Sequence, residues 1–161
     1  MRGARHFTEL TVWRLADALR RESLKLTGQP TYLRNVRLRE QTDDAVDSIC
    51  RNIAEGFAAD THGQFAWFLR ISRRSLNEVQ DAVLSAQHKR ILSPANLVPV
   101  RALMKRLRPA LNRFIDYLER SPKQRNRPPL RLRREFMRRI DSPPPKKEPS
   151  DSGNANGSQE D

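Results

Sequence analysis

The chain has 161 residues, of which 37% are hydrophobic and 31% are charged, and this supplies enough apolar material for one small core. The 31 Lys and Arg residues against 19 Asp and Glu residues give a formal net charge of +12. A positive field of that size attracts polyanions, of which nucleic acid is the commonest, although it also serves simply to keep a protein in solution. The scarcity of glycine and of β-branched runs disfavours a sheet protein, and the single cysteine excludes an internal disulfide.

Charge and proline divide the chain into unequal parts. Residues 1–121 carry a net charge of +8, residues 122–140 carry +7 and residues 141–161 carry −3. Of the 11 prolines, 7 lie beyond residue 121, and proline interrupts helices. We therefore predict a folded domain over residues 7–121. The tail over residues 122–161 is expected to be basic and proline-rich, then acidic, and largely disordered.

A first amphipathic helix is predicted from about Glu9 to Thr27. Its charged side chains, Asp17 among them, fall on the face opposite the apolar stripe. Gly28 is expected to end the helix in left-handed C′ geometry, and Pro30 prevents its continuation. The apolar stripe consists of Val12, Ala16, Leu19, Ser23 and Leu26.

A second helix is predicted from about Leu33 to Glu55, with Gly56 as its end. On its charged face, Arg51 has the i,i+4 spacing of an ion pair to both Asp47 and Glu55. Its apolar stripe, at spacings of three and four, consists of Leu38, Thr42, Val46, Ile49, Ile53 and Phe57. Cys50 lies within an apolar part of this helix, which favours a small buried side chain over a nucleophile.

Two further helices follow. The third begins at the capping box of residues 61–64 (Thr-His-Gly-Gln) and continues to about Arg90. The fourth begins at Ser93-Pro94, an N-cap followed by proline at the first helical position, and Pro109 is expected to kink it. Since the connections are short, we predict an all-α, antiparallel, up-down-up-down four-helix bundle.

The sequence offers no set of residues for catalysis. None of the three histidines has a metal-ligand partner at helical spacing, and a Gly-rich phosphate loop is missing. Asp43, Asp44, Asp47 and Glu55 lie among arginines, which is typical of a solvated face. We therefore predict a non-enzyme with no catalytic residue, metal or cofactor. No apolar run is long enough to span a membrane, so we expect a cytoplasmic protein.

Aromatic side chains allow two interpretations. Trp13, Trp67, Phe65 and Phe68 could stack on bases, but aromatic residues on a helical stripe are more often part of a core. Only Trp67 lies out of line with its stripe.

Several motifs resemble those of the small four-helix-bundle proteins of the rRNA intervening-sequence type. The resemblance covers roughly residues 7–119, and its most specific part is the run Asn52-Ile53-Ala54-Glu55-Gly56 with Gln41 and Ser48 upstream. The other matching features are Phe7-x-x-Leu10-x-Val12-Trp13-x-x-Ala16, Phe65-x-x-Phe68-Leu69 and Ser75-Leu76-x-Glu78.

The resemblance implies a homo-oligomer, a pentamer by expectation, that binds structured RNA or DNA without catalysis. A related branch resembles accessory proteins of retroelements, which bind a reverse transcriptase. For the motif residues Gln41, Ser48, Asn52, Glu55 and Gly56 we favour a structural or oligomer role over direct ligand contact. The sequence departs from the family where basic residues often follow the Gln, since Asp43 and Asp44 stand there, and where Cys50 replaces a frequent proline.

Rows of basic residues are the candidate nucleic-acid contacts. The third helix carries Arg70, Arg73 and Arg74, with Asn77 beside them, and the fourth carries Arg101, Lys105 and Arg108, with Asn112. Such rows can face phosphates, but they also suit the solvated face of any helix. A further cluster in the tail suits either a polyanion-binding arm or a helix that folds on a partner, and it consists of Arg131, Arg133, Arg134, Arg138 and Arg139.

Two functions are therefore compatible with the sequence. The first is a non-catalytic, oligomeric nucleic-acid-binding protein, with RNA favoured. The second is a homo-oligomeric scaffold or accessory subunit, for example for a reverse transcriptase, whose basic charge only tunes solubility or contacts an acidic partner.

Overall fold

The fold is built from four long helices and two short helical segments, in a computed structural model that describes residues 4–125. Within these residues the structure contains no strand, and the only sheet-like contact is an isolated bridge between Thr61 and Arg125. The elements are a 3-10 turn (Phe7–Glu9), α1 (Thr11–Thr27), α2 (Pro30–Leu33), α3 (Val36–Ala58), α4 (His62–His88) and α5 (Pro94–Glu119). The expected tail, apart from its first residues 122–125, lies outside the described residues.

The long helices form an antiparallel bundle, as predicted. Around the bundle α1 contacts α3, α3 contacts α4, α4 contacts α5, and α5 returns to α1. The direction of neighbouring helices follows from cross-helix hydrogen bonds: Ile49 of α3 meets Ser72 of α4, while Ser48, one residue earlier, meets Ser75, three residues later. Short connections between consecutive helices enforce this arrangement.

The apolar stripes meet in one core. Side chains from all four long helices, such as Leu19, Val46, Leu76 and Leu107, are fully buried. Each buried Leu or Val side chain stabilises the fold by roughly 1.5–3 kcal/mol relative to an exposed one. The predicted stripe of α1 is confirmed, since all five of its residues are buried, and that of α3 is confirmed except for Phe57, which is half-buried.

Two helix starts are confirmed in atomic detail. The Thr61 hydroxyl accepts the Gln64 N–H at 3.2 Å, and the Gln64 side chain accepts the Thr61 N–H at 3.1 Å. The Ser93 hydroxyl accepts the Asn96 N–H at 3.4 Å, ahead of Pro94. These contacts satisfy backbone donors that the first helical turn leaves without partners. Helix α5 then runs through both of its internal prolines without ending.

The prediction that Gly28 ends the first helix in a left-handed conformation is wrong. Its φ is −76°, a right-handed value, and its N–H donates to the Leu24 carbonyl at 3.0 Å. The helix ends there because the chain turns at once into α2, whose first residue is Pro30.

The predicted bounds of the second helix also need correction. The predicted start at Leu33 falls on the last residue of the separate α2, and α3 begins only at Val36. Tyr32 of α2 is buried, with its hydroxyl 2.8 Å from that of Thr42. The Thr42 hydroxyl donates to the Leu38 carbonyl, so the Tyr32 hydroxyl is the donor between the two. At its other end α3 continues past Gly56 to Ala58, so Gly56 is an interior residue and not a helix end.

The predicted ion pairs of α3 do not form. Among residues 4–125, neither Arg51 nor Glu55 takes part in an ion pair, and Asp47 lies 3.7 Å from Arg20 of α1 instead. Asp17, expected on an exposed face, is buried with its carboxylate paired to Arg20 and to Arg21. Arg20 also approaches Asp47 of α3, so Asp17 lies near the contact between α1 and α3.

Cys50 is buried, as predicted, and this should make it unreactive. Burial raises the pKa of its thiol from 9.0 to about 11, while Arg20 opposes the shift. A rise of about two pKa units leaves roughly a hundredfold less thiolate near pH 8. We expect native protein at pH 8 to react with iodoacetamide at least about a hundredfold more slowly than free cysteine, and urea-unfolded protein to react at the ordinary rate. Fast labelling of the native chain would show that Cys50 is accessible.

Candidate nucleic-acid interface

The two predicted basic rows lie along a single boundary between helices. Helices α4 and α5 run side by side in opposite directions, and side chains from both cross the line between them. Five of the six predicted bundle cations lie along this line, which we call the basic seam. They are Arg70 and Arg73 from α4 and Arg101, Lys105 and Arg108 from α5.

Three arginines of the basic seam are held by uncharged side chains of the opposite helix. Arg108 donates to the Asn77 side chain and to the Gln80 side chain, each at 2.8 Å. Arg73 donates to the Asn112 side chain at 3.1 Å, and Arg101 donates to that of Gln87. The amide oxygens therefore position the guanidinium groups across the two helices.

This arrangement leaves the positive charge in place. An amide oxygen accepts a hydrogen bond but carries no net charge, so Arg73, Arg101 and Arg108 keep a full cation at the surface. Arg70 differs, because it forms an ion pair with Glu119 that neutralises its charge. Each guanidinium has five N–H donors, and one or two contacts leave several for a phosphate.

A depression lies in the middle of the basic seam. Its volume is about 520 Å³, and Arg101, Lys105 and Arg108 line it together with apolar residues. The apolar part comprises Val83, Leu84, Met104 and Pro109, and Leu84 is exposed. Cations beside an apolar floor match a ligand that presents both anionic groups and flat or apolar ones, as a nucleotide chain does.

The remaining predicted basic residues lie elsewhere. Arg74 is exposed on α4, and it makes no hydrogen bond or ion pair to another described residue. The tail cluster Arg131, Arg133, Arg134, Arg138 and Arg139 lies outside the described residues. Sequence reasoning missed Gln80, Gln87 and Glu119 as seam partners. Antiparallel pairing of the third and fourth helices would have placed each of them near a basic residue of the other helix.

The motif residues lie on another face, where Asn52 and Ser48 form a hydrogen-bonded group with Ser75. Asn52 of α3 is buried and donates to the Ser48 carbonyl at 2.8 Å and to the Ser48 hydroxyl at 3.1 Å. The Ser48 hydroxyl lies 2.9 Å from that of Ser75 in α4. Glu55 is exposed. The Asn52 side chain therefore bonds one turn back along its own helix.

Gly56 belongs to the same contact between α3 and α4. A Cβ on Gly56 would lie 2.4 Å from Cδ2 of Phe65 and 2.8 Å from Cβ of Phe68, distances that real side chains do not reach. The motif thus has the residue without a side chain at a close contact between α3 and α4.

Gln41 and Ser48 also line an open depression of about 720 Å³ on the outer surface of α3 and α4. Its charged residues are Arg37 and Arg51 against Asp44 and Glu78, so the two signs balance. This near-neutral surface, which we call the motif face, lacks the excess positive charge that a polyanion requires.

Other kinds of site are not evident in the described part of the chain. Residues 4–125 contain no group of three or more His, Cys, Asp or Glu side chains placed to hold a metal ion. None of the helices described has the length and apolar character needed to cross a membrane.

Comparison with known proteins gives one match. Searches of curated proteins and of solved structures found no match. Residues 8–113 match the family model described as 23S rRNA-intervening sequence protein, and this range is more than half of the chain. It includes all five motif residues, all five cations of the basic seam and all of α1 to α4. The chain therefore belongs to the 23S rRNA-intervening sequence protein family.

Proposed function

We propose that this chain is a non-catalytic nucleic-acid-binding protein that holds phosphates along the basic seam, with RNA as the favoured ligand. The observation that carries the proposal is the pairing of Arg73, Arg101 and Arg108 with amide side chains rather than carboxylates. A solvated helix face needs no such pairing. Cations fixed in place without being neutralised are suited to phosphate groups.

The choice of RNA is supported by the family description. That description names 23S rRNA, although it does not say what each member binds. The long helices of residues 4–125 also offer an extended surface, which suits a folded RNA recognised by shape and phosphate position. A nucleic-acid ligand and a single cysteine are both in keeping with the cytoplasm.

We further propose that the protein acts as a homo-oligomer, with a pentamer as the expected form. The motif face supports this, because its balanced charges and open shape suit contact with another protein surface better than contact with a polyanion. Several copies would present several basic seams to one RNA, and linked weak contacts raise the overall affinity.

The same motif face supports a second function. A scaffold or accessory subunit, for example for a reverse transcriptase, would bind its protein partner through the motif face and leave the seam to tune solubility. The dependence of binding affinity on salt concentration distinguishes the two functions. Phosphate binding weakens steeply as salt rises, whereas a contact through a near-neutral face changes little.

The experiment that tests the proposal is binding of a structured RNA over a salt series by two forms of the protein. One is the full chain, and the other ends after Arg125. A cut after Ser121 is less suitable, because the Pro122 and Gln124 carbonyls accept hydrogen bonds from Gly63 and His62 at the start of α4.

If the basic seam binds phosphates, the affinity of both forms should fall steeply with salt, with a slope of log K against log salt of about −0.7 to −0.9 per phosphate. Loss of binding in the shortened form would place the contacts in the arginine-rich tail. Absence of binding by either form at low salt would refute the nucleic-acid proposal and leave the scaffold.

A further inference from the structure

The depression in the middle of the basic seam, which we call the seam depression, is lined by cations from α5. Arg101, Lys105 and Arg108 are spaced i, i+4 and i+7, which makes a row of about 10 Å along the helix axis. Among residues 4–125 no carboxylate lines the seam depression, and none of these three cations forms an ion pair. Asp81 of α4 is exposed nearby but is not part of the lining. The row of cations therefore suits an anionic ligand.

The seam depression also has an apolar floor. Val83 and Met104 are buried, whereas Leu84 is 41% exposed although it lies beside the cations. The volume of about 520 Å³ is within the range of roughly 300–1,000 Å³ that is usual for pockets of small ligands. Phosphate groups gain nothing from contact with leucine and methionine. The floor thus suits a second, apolar part of the same ligand.

The guanidinium groups beside the floor are held in place. Arg108 donates to the side chains of Asn77 and Gln80, each at 2.8 Å, and Arg101 donates to that of Gln87. Both arginines are half-buried, so their side chains lie along the surface of the bundle. A guanidinium plane in a fixed orientation can stack on a nucleobase.

Gln80 adds a hydrogen-bonding group to the lining. Its side-chain oxygen accepts the bond from Arg108, and its amide nitrogen carries two N–H donors. Among the described residues, no hydrogen bond uses that amide nitrogen. A ring nitrogen or a carbonyl oxygen at the edge of a base is a suitable acceptor for it.

A nucleotide with an unpaired base has both parts that the seam depression accommodates. Its phosphate is an anion for the cations, and its base is a flat ring that packs on apolar side chains and on guanidinium planes. Within a duplex the neighbouring bases cover both faces of each base, and the deep, narrow major groove of RNA excludes side chains. The floor can therefore contribute to the binding of a bulged or looped nucleotide but not of a paired one.

We propose that the seam depression binds one unpaired nucleotide of the RNA, with its base packed on Leu84 and Met104 and its phosphate on Arg101 and Lys105. The inference rests on the proposed function, because it requires RNA on the basic seam. It adds a preference for RNA that has bulged or looped nucleotides. Leu84 determines this preference, whereas the cations contribute affinity that all RNA shares.

The test measures binding of three RNA duplexes of equal length to the full-length chain. The first has one unpaired nucleotide in a bulge, the second has an abasic nucleotide at the same place, and the third is fully paired. The abasic duplex keeps the phosphate of the bulge but lacks the base. The variants are Leu84→Gln and, as a matched control, Leu24→Gln, because Leu24 of α1 has a similar exposure of 47%. Circular dichroism verifies that both variants keep the bundle.

We expect the parent to bind the bulged duplex about tenfold more tightly than the abasic one, since stacking of one base changes affinity by roughly fivefold to a hundredfold. Leu84→Gln should lower this preference to about threefold or less and keep the salt dependence, because phosphate contacts are unchanged. Leu24→Gln should leave both the preference and the salt dependence as in the parent.

Equal affinity of the parent for the bulged and abasic duplexes would overturn the inference and leave phosphate binding by the basic seam intact. A preference that survives Leu84→Gln would also overturn it, because the base would then bind elsewhere. Absence of binding to all three duplexes at low salt would refute the proposed function together with the inference. A lower sedimentation coefficient of Leu84→Gln without RNA would show that a second copy covers the seam depression, which also contradicts the inference.

Discussion

Replacing Gly56 with alanine is expected to destabilise the bundle by about 3 kcal/mol, near the upper end of the usual cost of overpacking a core. The added Cβ would lie 2.4 Å from Cδ2 of Phe65 and 2.8 Å from Cβ of Phe68. Phe65 has little room to move, because it is buried and its ring packs edge-on against Phe114 at 5.1 Å and Phe57 at 6.4 Å. Relief therefore requires α3 and α4 to separate. Urea unfolding followed by circular dichroism measures the loss.

The matched control for this prediction is Gly63→Ala. Gly63 is also helical, but an added Cβ there would lie 3.3 Å from the Pro122 carbonyl oxygen, a contact that a small shift relieves. Because alanine is the better helix former by about 1 kcal/mol, we expect this variant to remain within about 1 kcal/mol of the parent. An equal loss in the two variants would mean that close helix approach is not the reason for glycine at position 56.

Most features that depend on spacing within one helix could be predicted from the sequence, although the i,i+4 ion pairs of α3 and the left-handed end of α1 could not. The apolar stripes have the helical period, and burial of one face per helix follows from that period alone. The capping box at Thr61 and the Ser93 cap involve residues within three positions of each other, so no knowledge of the tertiary fold is required. For the same reason Trp67 was recognised as lying off its stripe, and it is exposed.

The antiparallel packing of the helices could be predicted from the short connections, but the individual contacts between the helices could not. A glycine near a helix end suits a left-handed cap or a close approach equally well, because both need the absence of a Cβ. Gly56 serves the second purpose, since α3 continues beyond it. Asp17 lies opposite the stripe on an isolated helix, but in the bundle it is covered by Arg20 and Arg21.

In the candidate site, too, the residues of each helix could be predicted from the sequence but their contacts across the two helices could not. The sequence identified the basic residues of α4 and α5 as two separate rows. That the two rows form one surface could be seen only from the register of the two helices, which places Asn77 beside Arg108 and Asn112 beside Arg73. Only with that register is it apparent that amides and not carboxylates hold three of the arginines. This difference leaves the three arginines with a full positive charge, which an ion pair with a carboxylate would neutralise.

Replacing Arg73, Arg101 and Arg108 with glutamine should weaken RNA binding and reduce its dependence on salt. Each phosphate contact contributes roughly one unit to the slope of log K against log salt, so the slope of the triple variant should be smaller by about three. Over a rise from about 50 to about 200 mM salt, the parent should then lose roughly sixtyfold more affinity than the variant. Filter binding of a structured RNA at several salt concentrations measures the slope, and circular dichroism verifies the fold.

The control for this variant removes the same charge from another part of the surface. Arg5, Arg14 and Arg34 are exposed, they line neither the basic seam nor the motif face, and glutamine at all three lowers the net charge equally. If only the overall positive field attracts RNA, both triple variants will change the slope to the same extent, and the seam then has no special role. If the amide-held arginines contact phosphates, the control will keep most of the slope. Lysine at the three seam positions should restore it, since the slope follows the number of cations more than their geometry.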